Sequence, residues 1–352
     1  MDTPGKKSDS VATPMPVSML QSLGLPIIKL ENVSKRFSTH TVLNNITLSV
    51  YKGEIFGIIG VSGAGKTTLL ELLIGFLKPD DGTIRLHMGG LLGDANESEN
   101  YASLQEHPNV AKSLFGFATQ KPSFYDDLTV RENLDYFGEM YGIRDAVLQR
   151  NIQTVLDLVG LTQQEHAFSG ELSGGMQKRL DIACALVHNP KILILDEPTA
   201  DLDIILRKHF WELVRRINRN GTTIILASHF LDEIENLCSR IAVLHNQQIV
   251  REGSVDELKK LYAKNQELHL VVKSRDYRTL IAYLQQQSRF SVTRMTREGQ
   301  QLVIHSPQAE ELLHHVIHVV EKNNDQVMDI FLNKPNLNEV FELITKNAFN
   351  EQ

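Results

Sequence analysis

The chain of 352 residues, 42% hydrophobic and 22% charged, is long enough for one large domain or two of ordinary size. Its formal net charge of -7 excludes a global basic field that would attract nucleic acid or an anionic membrane surface. The sequence has no uninterrupted apolar run of about 18 residues, so we expect no membrane-spanning segment. We therefore predict a globular cytoplasmic protein with no nucleic-acid partner.

The N-terminal segment, residues 1–26, is polar and contains several prolines. It lacks the contiguous apolar core of a signal peptide, so we predict a flexible tail. The two cysteines, Cys184 and Cys238, lie in apolar helical contexts without the spacing of metal ligands. We expect both to be buried, reduced thiols.

From residue 27 to about residue 262, strand-like apolar runs alternate with helical stretches. Runs such as "KILILDEP" and "TTIILASH" are typical of strands buried on both faces of a mostly parallel sheet. The segments "NLDYFGEMYG" and "AVLQRNIQTVLDLVGL" have helical patterns, and we predict a helical subdomain at about 121–188. Residues 90–113 are polar with little periodicity, which predicts a long surface insertion.

A glycine-rich loop follows the first buried strand. "GVSGAGKT" at 60–67 fits the pattern G-x-x-x-x-G-K-[ST], with a strand before it and a helix after it. Its glycines let backbone N–H groups surround phosphates, and the helix N-terminus adds partial positive charge. We expect Lys66 to reach the outer phosphates and Thr67 to offer its hydroxyl to Mg²⁺. The predicted phosphate-binding residues are Gly60, Val61, Ser62, Gly63, Ala64, Gly65, Lys66, Thr67 and Thr68.

Two adjacent carboxylates end the apolar strand "ILILDEP". Because α/β sheets bind ligands at the carboxyl ends of their strands, we expect Asp196 to hold Mg²⁺ and Glu197 to polarise the attacking water. Adjacent acids at a strand end can also be solvated turn residues, but the phosphate loop favours catalysis. Kinases, GTPases, helicases and transport motors all stay possible here. The guanine-reading pattern N-K-x-D is approached only by "NKPN" at 333–336, which lacks the acid.

A second glycine-rich turn occurs in "ELSGGMQKRLDIACALV". Ser173, Gly174 and Gly175 present further backbone donors at a helix N-terminus, with Ser173 as the expected cap. One chain has no obvious use for two phosphate cradles at one nucleotide. Two chains packed head to tail would use both turns, because each nucleotide then lies between the Lys66 loop of one chain and the Ser173 turn of the other. We therefore predict a dimer, with a second copy or with a related subunit.

With these motifs in order, residues 27–262 resemble the ATP-binding subunits of ABC transporters. "GVSGAGKTT" is similar to the Walker A loop of that family, and "LSGGMQ" to its signature. "ILILDE" resembles the Walker B strand, and "ADLD" at 200–203 resembles the D-loop. The sequence departs from the family pattern at Asp201, where a small residue is usual, and at Ile204, where proline is common.

The resemblance implies roles for residues that spacing alone would not single out. It implies that Phe37 stacks on adenine, that Gln120 contacts metal and water, and that His229 bonds the γ-phosphate. It also implies nucleotide-site contacts for Gln177 in the signature and for Asp203, which would reach across the dimer interface. Two structural alternatives stay open. Phe37 could be a core residue, and His229 a satisfied histidine at a strand end.

After residue 262 the pattern changes to strand, helix, hairpin, helix, strand and a closing helix. This order predicts a small ferredoxin-like α+β domain at 267–350, with the hairpin turning at Glu298 and Gly299. Its ending "PNLNEVFELITK" resembles the closing motif of exporter-type subunits. A helical group, His314, His315 and His318, has a spacing that zinc can use, but no nearby acid or cysteine completes the set, so we predict no metal there.

The sequence therefore predicts an α/β P-loop NTPase of the ABC type, with a mixed sheet and a helical subdomain, followed by a ferredoxin-like α+β domain. The resemblance implies an ATPase that uses ATP and Mg²⁺, dimerises around two ATP and drives a separately encoded transmembrane permease, as an exporter. It implies a peripheral position on the cytoplasmic face, with membrane contact only through the permease. Two alternatives stay open: a non-transporting ABC ATPase that regulates or remodels a membrane-associated complex, and a C-terminal domain that senses a small ligand.

Overall fold

The computed structural model describes residues 24–89, 101–261, 266–333 and 336–350. The predicted tail at 1–26 lies outside these residues except for 24–26, and Pro26 already belongs to the first strand. The chain divides into two compact units between Gly253 and Ser254. The helix Val255–Leu261, which the sequence predicts within the first domain, belongs to the second unit. Among the described residues, no helix has the length and apolar character needed to cross a membrane.

The described residues of the first unit form two sheets. One is antiparallel, in the order β2-β1-β4-β5, and its strands are β1 (Pro26–Phe37), β2 (His40–Tyr51), β4 (Asp81–His87) and β5 (Tyr101–Ser103). The other has the order β10-β9-β3-β8-β7-β6, and its strands are β3 (Ile55–Ile59), β6 (Phe115–Ala118), β7 (Ile192–Asp196), β8 (Thr223–Ser228), β9 (Arg240–His245) and β10 (Gln248–Ser254). The pairs β3–β8, β3–β9, β6–β7 and β7–β8 are parallel.

The central strands of this second sheet are buried along their whole length. Every residue of β3, β7, β8 and β9 is buried, as the continuous apolar runs predicted. Because these strands are parallel, their carboxyl ends lie at one edge of the sheet. The glycine loop after Ile59, the carboxylates that follow Leu195 and the histidine that follows Ser228 are therefore brought to the same edge.

Helices flank these strands in the first unit. Within 24–89 and 101–253 they are α1 (Lys66–Leu73), α2 (Pro108–Leu114), α3 (Val130–Met140), α4 (Asp145–Val159), α5 (Gly174–Leu186), α6 (Ile204–Arg219) and α7 (Leu231–Leu237). Helices α3, α4 and α5 pack on one another within the range predicted for a helical subdomain. α3 begins with a capping box, in which Thr129 accepts from the Glu132 N–H and donates its own N–H to the Glu132 carboxylate. Both cysteines are buried free thiols, as predicted.

The predicted surface insertion differs from our expectation in its second half, while 90–100 lies outside the described residues. The short strand β5 pairs antiparallel with β4 and extends the edge of the sheet. The Tyr101 hydroxyl donates to the Pro26 carbonyl at 2.7 Å, and Leu104 is buried. Within 101–113 the structure thus has the strand β5 and most of a helix, Pro108–Leu114, which the sequence did not predict because segments this short carry too little periodicity to be detected.

The second unit has a four-stranded antiparallel sheet in the order β12-β13-β11-β14. Its strands are β11 (Glu267–Val272), β12 (Arg294–Glu298), β13 (Gln301–His305) and β14 (Val327–Asn333), and its helices are α8 (Val255–Leu261), α9 (Arg278–Gln286), α10 (Ala309–Lys322) and α11 (Leu337–Asn350). This strand order, with a helix between β11 and β12 and another between β13 and β14, confirms the ferredoxin-like prediction. Leu268 and Leu270 of β11 pack with Leu280 of α9 and Val316 of α10 in one apolar core.

Candidate active site

The glycine loop joins β3 to α1, and backbone geometry favours glycine at several of its positions, among them Gly65 and Gly60. Gly65 precedes α1 with a φ of 103°, which side-chain-bearing residues rarely adopt. A Cβ at Gly60 would lie 2.6 Å from the Leu244 carbonyl oxygen, closer than real Cβ atoms approach. The loop therefore keeps the N-terminus of α1, with its free N–H groups, next to the end of β3.

Lys66 is the first residue of α1 and its side chain is buried. Its Nζ donates to the Gly60 carbonyl at 2.9 Å and to the Val61 carbonyl at 3.3 Å. The same Nζ lies 3.2 Å from Glu197 Oε1. The structure thus brings the predicted phosphate-binding lysine and the predicted catalytic carboxylate into one ion pair.

Thr67 and Asp196 also meet, although they lie on different elements. Thr67 Oγ1 donates to Asp196 Oδ2 at 2.7 Å, while Asp196 Oδ1 is buried and has no hydrogen-bond partner among the residues that the structure describes. Burial raises the pKa of the Asp196 carboxyl, although the bond from Thr67 opposes the shift. The Thr67 hydroxyl and the Asp196 carboxylate supply oxygen atoms, and oxygen is the ligand type that Mg²⁺ prefers. Gln120, the third predicted metal contact, is exposed just after β6.

Glu197 leaves β7 in an unusual backbone conformation, with a φ of 46°. Its N–H donates to the Ala227 carbonyl at 2.9 Å, which keeps this turn beside β8. Its Oε2 lies 2.8 Å from His229 Nδ1. The carboxylate therefore lies between the Lys66 ammonium and the His229 ring, two of the residues with predicted catalytic roles.

Phe37 ends β1 with 46% of its surface exposed, so the alternative that it is a core residue is wrong. The Lys35 ammonium lies 5.5 Å from the centre of its ring. The free face of an exposed aromatic ring is the feature that stacking on adenine requires.

The second glycine turn starts α5, in the helical subdomain rather than in the parallel sheet. Ser173 occupies the N-cap position, but its side chain makes no capping hydrogen bond, so that part of our expectation is wrong. Its hydroxyl does not reach the helix N–H groups, and both Ser173 and Gly174 are exposed. Gln177 uses its side-chain amide to donate to the Ser169 carbonyl at 3.1 Å.

Two buried polar residues of α5 hold the segment that follows Gln120, and our sequence reasoning missed both. Lys178 Nζ donates to the Gln120 carbonyl. Asp181 Oδ1 accepts from both the N–H and the hydroxyl of Ser123, each at 2.9 Å. Burial raises the pKa of the Asp181 carboxyl. A charged pair at i,i+3 on a helix that continues into the apolar run 182–186 was the sequence signal that could have found them.

Asp203, in the D-loop, has a local role that the sequence analysis also missed. Its Oδ1 accepts from the N–H groups of Ile205 and Leu206, both at 2.9 Å, and so caps α6. Ile204 and Ile205 on the first turn of α6 are 85% and 70% exposed. An aspartate directly before a helix start was the available signal.

Comparison with known proteins agrees with this geometry. A family model described as "ABC transporter" matches residues 43–200. The Nod factor export ATP-binding protein I of Ralstonia nicotianae is 35% identical over 66% of this chain and 68% of its own length. The chain belongs to the ABC transporter ATP-binding family. This ABC ATPase is also 34% identical to the linearmycin resistance ATP-binding protein LnrL of Bacillus subtilis, over 66% of the chain and 70% of that protein.

Solved structures of ABC ATPases have the same fold. The ABC ATPase is similar to a structure described as an ATP-binding subunit of an ABC transporter, with a TM-score of 0.57 and 26% identity over 67% of this chain and 93% of the other. It is also similar to cbiO1 of Clostridium perfringens, described as part of the ABC transporter complex cbiONQ, with a TM-score of 0.58 and 26% identity over 66% and 90% of the chains. The protein is thus an ATP-hydrolysing transporter subunit with a P-loop NTPase fold, as predicted.

Proposed function

We propose that this ABC ATPase dimerises around two Mg²⁺–ATP, powers a separately encoded transmembrane permease and serves export. The observation that carries the proposal is the position of Glu197, whose carboxylate contacts both Lys66 and His229. The assignment to export rests on the names of two relatives, a Nod factor export protein and a linearmycin resistance protein. The subunit then lies on the cytoplasmic face of the membrane and touches it only through the permease.

The hydrolytic step follows from the residues around Glu197. The glycine loop and Lys66 bind the phosphates, and Phe37 stacks on the adenine. Thr67, Asp196 and Gln120 would hold Mg²⁺, which neutralises phosphate charge when it is bound. Glu197 orients the attacking water and takes its proton, and His229 bonds the γ-phosphate.

Dimerisation is inferred from the separation of the two phosphate-binding turns along the fold. Lys66 starts a helix that follows the parallel sheet, whereas Ser173 and Gly174 start a helix of the helical subdomain. The exposed Ser173 turn of one chain supplies the second wall of the nucleotide site in the other, together with Gln177 and Asp203. Contacts to the γ-phosphate then favour the closed dimer, and hydrolysis reopens it.

The dimer is tested with the Glu197→Gln variant, which keeps the shape of the side chain but cannot take the proton from water. Light scattering after size-exclusion chromatography should give a dimer in Mg²⁺–ATP and a monomer in Mg²⁺–ADP. Lys66→Ala is the matched control and should stay monomeric in both nucleotides. A Glu197→Gln variant that stays monomeric in ATP overturns the dimeric mechanism.

The transport role is tested by purification of tagged Glu197→Gln with ATP from detergent-solubilised membranes. Mass spectrometry should identify a copurifying protein with about six apolar spans, enriched over the Lys66→Ala control. If the copurifying proteins include no integral membrane protein, the result favours the non-transporting alternative instead. Transport measured in inside-out vesicles that contain both proteins then gives the direction, and ATP-driven loss of substrate from the lumen overturns export.

A further inference from the structure

Glu233, on α7, holds the start of the D-loop. Thr199, which directly precedes the D-loop, is fully buried, and its hydroxyl donates to Glu233 Oε2 at 2.8 Å. The other carboxylate oxygen of Glu233, Oε1, lies 3.5 Å from Arg207 Nη1 on α6. Both charged side chains are largely shielded, with 14% of Glu233 and 25% of Arg207 exposed. A single carboxylate therefore binds two elements that lie on either side of the D-loop.

Arg207 holds the end of the D-loop. Its Nε donates to the Leu202 carbonyl at 2.8 Å, and Leu202 is buried. The D-loop, at 200–203, is thus fixed at its start by Glu233 through Thr199 and at its end by Arg207. Because Glu233 and Arg207 also pair with each other, these contacts form one closed network.

The same network reaches the histidine of the active site. The Arg207 guanidinium lies 4.0 Å from the centre of the Phe230 ring. The rings of Phe230 and His229 are 4.1 Å apart, and His229 contacts Glu197. In addition, the Glu233 N–H donates to the Phe230 carbonyl at 3.2 Å. Glu233 and Arg207 are therefore joined both to the D-loop and to the segment that carries His229.

We propose that Glu233 and Arg207 are positioning residues that make the D-loop and the His229 segment move as one unit. Since the proposed function places the D-loop at the dimer interface, this inference rests on that function. A shift of His229 during hydrolysis in one subunit is then transmitted to the D-loop, and through it to the nucleotide site of the other subunit. Loss of either side chain should slow turnover and reduce cooperativity without weakening ATP binding to the single chain.

The test uses the full chain with Glu233→Gln, Arg207→Lys and the double variant. Arg207→Lys keeps the charge but loses both the Nε donor to Leu202 and the planar group over Phe230. The matched control is Arg215→Lys, because Arg215 Nη2 donates to the Asn236 carbonyl at 3.0 Å and so links the same two helices away from the D-loop. The measurements are kcat and the Hill coefficient for ATP, the Kd of a fluorescent ATP analogue at protein concentrations that give monomer, and Tm.

Each single variant should lower kcat about fivefold or more and bring the Hill coefficient towards one, with Kd changed by less than about twofold. The double variant should lose no more than the more affected single variant, because both remove the same connection. Arg215→Lys should behave as wild type.

Unchanged kcat and Hill coefficient in the variants, with a cooperative wild type, overturn the inference alone. Parallel losses of kcat, ATP affinity and Tm also overturn it, because they indicate a general structural role. A wild-type specific activity that is independent of protein concentration and shows no cooperativity overturns the proposed dimer, and the inference with it.

Discussion

Glu197 Oε2 lies 2.8 Å from His229 Nδ1, although 32 residues separate the two along the chain. They are neighbours because β7 and β8 are adjacent and parallel, with Asp196 paired to Ala227. Each side chain follows the end of its strand, at the sheet edge where α/β proteins bind ligands. The contact fixes the direction of the Glu197 carboxylate, so its loss should affect catalysis more than nucleotide binding.

His229→Ala should lower kcat about 100-fold, because it removes both the partner that orients Glu197 and the predicted bond to the γ-phosphate. The Kd for ATP should change much less, since Lys66 and the glycine loop are intact. His209→Ala, at an exposed position on α6, is the control and should keep full activity. Steady-state phosphate release and equilibrium ATP binding check the prediction, and an active His229→Ala variant contradicts it.

Asp196→Asn should weaken Mg²⁺–ATP binding about tenfold or more but leave metal-free ATP binding in EDTA nearly unchanged, because one predicted metal ligand loses its charge. The same variant should be more stable by about 1 kcal/mol without metal or nucleotide, since burial disfavours the charged carboxylate. Titrations of labelled ATP and denaturant unfolding measure the two effects. Thr154→Val, at an exposed hydroxyl on α4, should change neither. Equal losses of ATP binding with and without Mg²⁺ contradict the metal role.

Gly60→Ala should lower the free energy of unfolding by about 1–3 kcal/mol, because its Cβ would lie 2.6 Å from a backbone oxygen that cannot easily move. Gly174→Ala is the comparison, since no atom of the described residues lies within 4 Å of its Cβ position. It should leave stability unchanged or slightly raised. Trp211 is the only tryptophan and is buried, so its fluorescence can report unfolding in both variants. Equal stabilities would show that the loop relaxes around the added methyl group.

Phe37→Ala should weaken ATP binding about tenfold, the loss expected from one aromatic stacking contact. Binding of inorganic triphosphate should not change, because that ligand has no base to stack. Phe76→Ala removes another exposed ring, 74% exposed, and should leave ATP affinity unaltered. Isothermal titration with both ligands separates these cases. Equal losses for ATP and triphosphate would mean that Phe37 supports the loop rather than the adenine.

Stability should fall as the pH rises from about 4.5 to about 7, partly because of Glu252. Burial raises the pKa of Glu252 to about 7, although the contact with Arg240 opposes the shift. Burial also raises the pKa of Glu54, the other carboxylate on Arg240. An acid whose folded-state pKa is raised binds its proton more tightly in the folded state than in the unfolded state. Its stabilising contribution is therefore complete below the unfolded-state pKa and is lost as the pH rises through the folded-state pKa.

Glu252→Gln should therefore flatten this dependence, by at most about 1.4 kcal/mol for each pH unit. Chemical unfolding at a series of pH values, followed by Trp211 fluorescence, gives the slope. Glu257→Gln is the comparison, because Glu257 accepts from the Ser254 N–H and hydroxyl and has no contact with Arg240 in the described part of the chain. A Glu252→Gln slope equal to that of wild type contradicts the prediction.

Much of the fold could be predicted because the signals are long or strongly patterned. The runs that became β3, β7 and β8 are mostly apolar, and the order of elements after residue 262 predicted the ferredoxin-like topology. The strand β5 could not be found, because a strand of three residues has no measurable period. Ser173 is a second example. A serine at this position favours an N-cap, but the local geometry decides whether the capping hydrogen bond forms, and the Ser173 side chain makes none.

The sequence by itself determined the glycine loop, the paired carboxylates, the second glycine turn and their order, because each chemical pattern is local to a few residues. From that order it determined the family. Only the tertiary structure decided which distant side chains meet: Thr67 with Asp196, Lys66 with Glu197, and Glu233 with both Thr199 and Arg207. These contacts depend on how the strands order themselves and how the helices pack on them. That arrangement is set by burial of the whole core, and no short segment contains it.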